Sequence, residues 1–171
     1  MRLFVAVAVP GTVLDLIADL PRPARDGLRW TTRDQWHVTL RFLGAIDDPE
    51  AVVDALEDAP LGRCAPCEAV LGPRVEALSS RVLSVPVAGL DDVAAAVVEA
   101  TAGLGRPPED RPFRGHLTLA RASRGTARRL AGPVVGRPIS ARFAVPDVRL
   151  VRSHLGPRGA RYEDIHVRHI G

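Results

Sequence analysis

An α+β fold is what this sequence predicts, and three observations predict it. Segments with strand periodicity are mixed irregularly with four short helix patterns instead of alternating with them one for one. One strand pattern, His-x-Thr with aliphatic residues at the intervening positions, occurs twice, 79 residues apart. No strand is followed by a Gly-rich phosphate loop or a dinucleotide fingerprint, so nucleotide cofactors are not implied. At 171 residues the chain suits one compact unit spanning residues 1–171.

The elements follow in order. Arg2 to Val9 is Val-rich and alternating, which reads as a strand, and Pro10-Gly11 ends it before an apolar-periodic helix from Thr12, its cap, to Leu20. Leu28–Trp30 and Trp36–Phe42 read as strands around a polar turn. Asp47 or Asp48 caps a helix over Glu50–Asp58 with Val52, Val53 and Leu56 inward. Ala69–Val75 and Arg81–Val87 read as two strands, and Asp91–Leu104 as an Ala- and Val-rich helix with acidic residues at its N-terminus. Gly105–Pro112 is a Pro-rich charged loop. His116–Ala120 is the next strand, Thr126–Leu130 a short helix, and Ile139–Leu155 and Tyr162–Ile170 close the chain as strands around a Gly-Pro-Arg-Gly turn.

Composition narrows the functional classes. Apolar residues make up 46% and charged residues 25%, the balance of a folded soluble chain and not of a disordered one. All 23 basic residues are Arg, a bias that fits codon usage. A net charge of +3 and a pI near 9.6 lean toward an anionic partner, since guanidinium forks suit phosphate, but are too modest for an extended nucleic-acid track. No apolar stretch approaches a membrane span and the apolar start is too short for a secretory signal, so a cytoplasmic, membrane-free protein is expected, with a monomer as the default. Cys64 and Cys67 form one Cys-x-x-Cys pair without a second, which is short of a four-ligand zinc site.

The repeat carries the chemistry. In Trp36-His37-Val38-Thr39-Leu40-Arg41-Phe42 and Gly115-His116-Leu117-Thr118-Leu119-Ala120-Arg121, strand alternation puts each His and Thr on one face and the aliphatic residues on the other. The aliphatic face belongs in the core. Two such strands, one per half, are what a duplicated half-site facing across a cleft would supply. Paired histidines suit in-line displacement at phosphorus, one removing the proton from water while the other protonates the departing sugar oxygen, with no metal required. Thr39 and Thr118 then donate to the non-bridging oxygens and Arg offsets the charge.

These motifs make the chain resemble the two-histidine phosphoesterases, and among them the RNA 2′,3′-cyclic phosphodiesterases also described as 2′-5′ RNA ligases. The resemblance runs through Arg2-Leu3-Phe4-Val5-Ala6-Val7, Arg29-Trp30, His37-Val38-Thr39-Leu40-Arg41-Phe42-Leu43-Gly44, Pro112 to Arg121, and Leu150 to Leu155 before Gly159 and Tyr162. It implies a bilobal α+β fold: two pseudo-symmetric lobes of mostly antiparallel sheet, helices outside, and a His-x-Thr strand from each lobe in a central groove. It implies hydrolysis of RNA-terminal 2′,3′-cyclic phosphate to a 2′-phosphate, with His116 activating water and His37 protonating the 3′ oxygen. Gly115 departs from the family, where Pro often precedes the second His.

Arg121, just after its motif, is the foremost candidate for a phosphate contact, with Arg41 second because alternation places it with His37 and Thr39. Phe4 and Trp30 are suited either to stacking on a base or to the core. His154, His166 and His169 lack the motif context and are left outside the site. Three other functions are weighed: a 2′-5′ RNA ligase or a phosphodiesterase of small cyclic-phosphate nucleotides, which the same histidines would serve; a non-catalytic RNA-end binding module, which would not need a proton donor and acceptor; and a metal hydrolase, disfavoured because neither motif has a carboxylate cluster.

Overall fold

A computed structural model describes all 171 residues. Strands β1 (Arg2–Ala8), β3 (His37–Ala45), β6 (Val82–Ala88), β7 (His116–Ala122), β9 (Asp147–Gly156) and β10 (Gly159–His169) carry most of the architecture. Shorter strands are β2 (Leu28–Trp30), β4 (Glu68–Leu71), β5 (Glu76–Ala77) and β8 (Ala141–Ala144). Four helices accompany them: α1 (Gly11–Ala18), α2 (Pro49–Asp58), α3 (Asp91–Ala100) and α4 (Ala127–Ala131). Every strand pairing is antiparallel, in the order β10-β9-β1-β3-β7-β6-β4-β8, with β2 against β7 and β5 against β6.

That order splits into two sets of four, joined where β3 meets β7. Within each set a strand, a helix, a His-x-Thr strand and a second helix follow one another, as β1-α1-β3-α2 and as β6-α3-β7-α4. This is the bilobal α+β arrangement that the resemblance implied. Its sheet is curled, and the helices bury Val13, Ile17, Val52, Leu56, Val93, Val97 and Ala127 in one apolar core continuous through both sets. The opposite face is left open and becomes the groove.

Local chemistry explains most boundaries. The Asp48 side chain accepts from the Ala51 amide at 3.4 Å and Pro49 opens α2, while Thr126 caps α4 through the Arg129 amide at 3.3 Å. Thr12 does not cap the first helix; Pro10 stands at that position, two residues earlier, and α1 spans Gly11–Ala18. The predicted strand over Ile139–Leu155 is two strands. Val145 and Pro146 interrupt it because Pro has no amide to give a ladder, and there the chain leaves β8, on the outer edge of one set, to enter β9 in the other.

Both His-x-Thr strands carry a β-bulge at the same step after the threonine. Against β1, Val5 faces Arg41 but Ala6 faces Thr39, leaving Leu40 extra. Against β6, Leu83 faces Ala120 but Ser84 faces Thr118, leaving Leu119 extra. Consequently Leu40 with Arg41, and Leu119 with Ala120, are buried as consecutive pairs, and the groove face resumes at Phe42 and Arg121.

The bulge corrects the expectation for Arg41. Strict alternation would have set it beside His37 and Thr39; instead it is only 5% exposed, on the core side. Its Nε donates to Thr101 Oγ1 at 2.9 Å and its Nη2 to the Arg106 carbonyl at 2.8 Å, with the Thr101 and Leu104 carbonyls at 3.3 and 3.4 Å. Thus Arg41 ties β3 to the chain that leaves α3, and α3 stops at Ala100 instead of Leu104 as those carbonyls turn toward the guanidinium. Burial lowers the guanidinium pKa from its ordinary value. Replacing Arg41 by Met should cost about 2–4 kcal/mol of unfolding free energy in urea titration, because several buried carbonyls lose their donor together. An unchanged midpoint would show that water takes over that role.

Candidate active site

The two motif strands meet at one ladder pair, Val38 opposite Leu117. Extending that antiparallel register by one residue sets His37 across from Thr118 and Thr39 across from His116. The two histidines are therefore diagonal neighbours, about 7–8 Å apart at the backbone, with a threonine beside each. All four line a groove of about 460 Å³, together with Arg2, Phe4, Arg29, Gln35, Phe42, Arg121, Ser153 and Tyr162 among others.

Backbone carbonyls settle the tautomers. His37 Nδ1 lies 2.8 Å from the Gln35 carbonyl oxygen and His116 Nδ1 lies 2.7 Å from that of Arg114, in each case two residues back. A carbonyl only accepts, so each Nδ1 carries the proton and each neutral ring keeps Nε2 as its basic nitrogen. His37 Nε2 is 3.0 Å from Thr39 Oγ1, which donates to it in that tautomer. The Gly115 departure also has a local reason: a Cβ there would collide with the Val87 carbonyl oxygen, whose residue donates its amide to Gly115 at 2.9 Å.

The surroundings of the two rings differ. Phe4 lies against the His37 ring with centroids 4.8 Å apart and planes at 30°. Tyr162, from β10, presents an edge to both at 5.1 Å. Phe4 is thus packed beneath the imidazole, only 4% exposed, which leaves little ring face for a base. Burial in this aromatic wall lowers the His37 pKa to about 4, opposed by the Gln35 carbonyl and Asp164 and helped by the positive charge of Arg121. At neutral pH the His37 ring is uncharged in the free protein.

Of the residues singled out in the sequence, His37, Thr39, His116, Thr118, Arg121 and Phe4 come together in the groove, and Arg41 does not. Trp30 instead donates its indole N–H to the Pro23 carbonyl at 2.9 Å and packs against the core. His154 pairs with Glu163 at 2.8 Å and His166 with Glu57 at 2.7 Å, both outside the groove. Cys64 and Cys67 are free thiols whose pKa values burial raises. No three His, Cys, Asp or Glu side chains converge as a metal-binding group, and no helix is long and apolar enough to cross a membrane. Sequence reasoning missed Phe42, which only the bulge turns inward, and Arg29, Gln35, Ser153 and Tyr162, which belong to no motif that spells out a role. Thr31 was missed as well; its hydroxyl oxygen stands 2.8 and 2.9 Å from the Thr118 and Leu119 carbonyls and steadies the bulged strand.

Comparison with known proteins agrees with this geometry. Residues 3–63 match the family model described as LigT like Phosphoesterase. The crystal structure of TT0787 of Thermus thermophilus superposes with a TM-score of 0.81 at 29% identity, over 99% of this chain and 98% of that one. The chain is similar to the LigT-like phosphoesterases, in sequence over residues 3–63 and in fold over nearly all of its length. E. coli LigT complexed with 3′-AMP aligns at 26% identity with a TM-score of 0.74, over 98% of this chain and 97% of that one. An RNA 2′,3′-cyclic phosphodiesterase of Geobacillus stearothermophilus is 27% identical over 95% of the chain, which spans about half, 55%, of that relative's length.

The His37 environment has a measurable consequence. Its pKa is depressed on folding, so between about pH 6.5 and 4 the unfolded chain binds more protons, and stability present above pH 6.5 is lost as the pH falls toward 4. The loss attributable to this ring should be about 2–3 kcal/mol, read as the difference in pH dependence between wild type and His37→Gln in urea titrations. NMR titration of the ring should give a midpoint near 4, rising in Phe4→Ala. A wild-type midpoint near 6.5 would contradict the desolvation account.

Proposed function

We propose that this phosphoesterase opens 2′,3′-cyclic phosphates at RNA ends, leaving a 2′-phosphate, by general acid–base catalysis with His37 and His116. The observation that carries the reading is the paired geometry: two imidazoles, each held by its Nδ1–H on a backbone carbonyl, present Nε2 to one groove from adjacent antiparallel strands. Between them a cyclic phosphate has an imidazole for the entering water and another for the departing 3′ oxygen. Thr39 and Thr118 are placed for the non-bridging oxygens, and Arg121, whose charge is felt at His37, for the developing negative charge. The reaction needs no metal in this reading, and the names of the relatives support the choice of cyclic phosphate over other phosphoesters.

Which histidine does which is decided by charge. The resemblance assigns the base to His116 and the acid to His37, and that order requires His37 to be protonated once substrate is bound. A bound phosphate anion beside Arg121 works in that direction by raising the His37 pKa. The burial of His37 favours the reverse order, because a ring neutral down to about pH 4 is already the form that accepts a proton.

Purified protein should convert a short RNA ending in a 2′,3′-cyclic phosphate to the 2′-phosphate in excess chelator. His37→Ala and His116→Ala should each lower kcat by about 10²–10⁴-fold, and Thr39→Val or Thr118→Val by about 10²-fold. No wild-type turnover, or turnover abolished by chelator and restored by a divalent metal, would overturn the reading. An acidic limb near pH 4 in the kcat/KM profile assigns the base to His37, and no limb there returns it to His116.

A further inference from the structure

Arg29 and Arg121 stand directly opposite each other in the β2–β7 pair, and both line the groove. Like charges facing across an antiparallel pair repel. Neither guanidinium has a carboxylate partner, although just beyond the ends of the two strands Arg124 makes two bonds to Asp26 at 2.9 and 3.0 Å. Two facing cations left free inside a groove, with a paired one outside it, mark a seat for anions.

The two charges are not equivalent. Arg121 lies on β7 shortly after Thr118 of the second motif, whereas Arg29 comes from the short strand β2. Arg29 reaches the opposite wall, where the turn of the β9–β10 hairpin closes the groove. There Gly159, at φ +110°, leaves the space its guanidinium needs; a Cβ at 159 would stand 2.6 Å from Nη1. Gln35 Nε2 donates to the Ala160 carbonyl at 2.5 Å and anchors that turn beside it.

We propose that Arg29 holds the phosphate next to the reacting one, so that the preferred substrate is an oligoribonucleotide bearing the terminal cyclic phosphate and not a cyclic mononucleotide. The proposal rests on the cyclic-phosphate reading above. A mononucleotide has one phosphate, which Arg121 and the histidines engage; the linkage to the preceding residue of an RNA strand supplies the second anion, at the side of the groove where Arg29 meets the hairpin. Phosphate contacts of this kind position a strand without reading its bases.

The experiment compares adenosine 2′,3′-cyclic phosphate with a dinucleotide ending in the same group, for wild type, Arg29→Met and Arg29→Lys. Wild type should favour the dinucleotide. Arg29→Met, which keeps the bulk against the hairpin, should lose about tenfold in kcat/KM on the dinucleotide and under about twofold on the mononucleotide, with Arg29→Lys recovering part of the loss. The salt dependence on the dinucleotide should weaken by about 0.7 in log–log slope. Equal losses on both substrates, or none on either, would overturn the proposal, the former by making Arg29 a support of the hairpin or of the reacting phosphate. Should wild type turn over neither substrate, the cyclic-phosphate reading fails separately, and the same contrast in calorimetric binding of the 2′-phosphorylated mononucleotide and dinucleotide still decides the role of Arg29.

Discussion

Val38 and Leu117 face each other in the ladder pair that joins the two sets of strands, and the groove is arranged around that contact. Both side chains are fully buried on the core side, which forces His37 and Thr39 on one strand, and His116 and Thr118 on the other, to the open face. Because the strands run antiparallel, the order of the motif is reversed between them. Each histidine therefore meets the other strand's threonine, and a group bound between them is approached by an imidazole and a hydroxyl from either side. A register slip of one residue in either strand would turn its His and Thr into the core and expose its aliphatic residue, so the apolar pair also keeps these polar groups on the open face.

The two halves repeat the same scaffold but furnish it differently. On β1 the residues opposite the bulged strand's groove face are Phe4 and Ala6; on β6 the matching residues are Val82 and Ser84. The first half thus has an aromatic floor, completed by Tyr162, and the second does not. The second half has Arg121 where the first has Phe42, the residues at which the groove face resumes after each bulge. Aromatic burial and the charge of Arg121 act together on His37, both lowering its affinity for a proton. The repeated scaffold thus presents its two histidines in unlike surroundings.

The bulges show where a sequence pattern is legible and where it is not. In the second motif, Leu119-Ala120 followed by Arg121 breaks the alternation with two consecutive apolar residues, and a bulge could be read from that. In the first motif the corresponding residue is Arg41, whose charge hides the same break and suggests a groove position. Its carbonyl partners come from residues 101–106, some sixty positions later in the chain, so nothing local distinguishes a buried arginine from a phosphate ligand. The split between β8 and β9 is similar in part. Pro146 announces an interruption, but that the chain crosses there to the other half is a matter of sheet order.

The sequence by itself determined the fold class, the alternation of the two motif strands, an aspartate cap at position 47 or 48 for the second helix, and the four polar residues that face the groove. These depend on backbone periodicity and on contacts within three or four residues, which a linear pattern records. Only the tertiary structure decided that Arg41 leaves the groove, that Phe42 and Arg121 enter it at equivalent points, and that Tyr162 and Phe4 bury one histidine and not the other. Only it set Arg29 opposite Arg121 beneath a C-terminal hairpin. Each of these rests on strands from distant parts of the chain meeting in a particular register, and the burial and charge of a side chain are properties of that meeting.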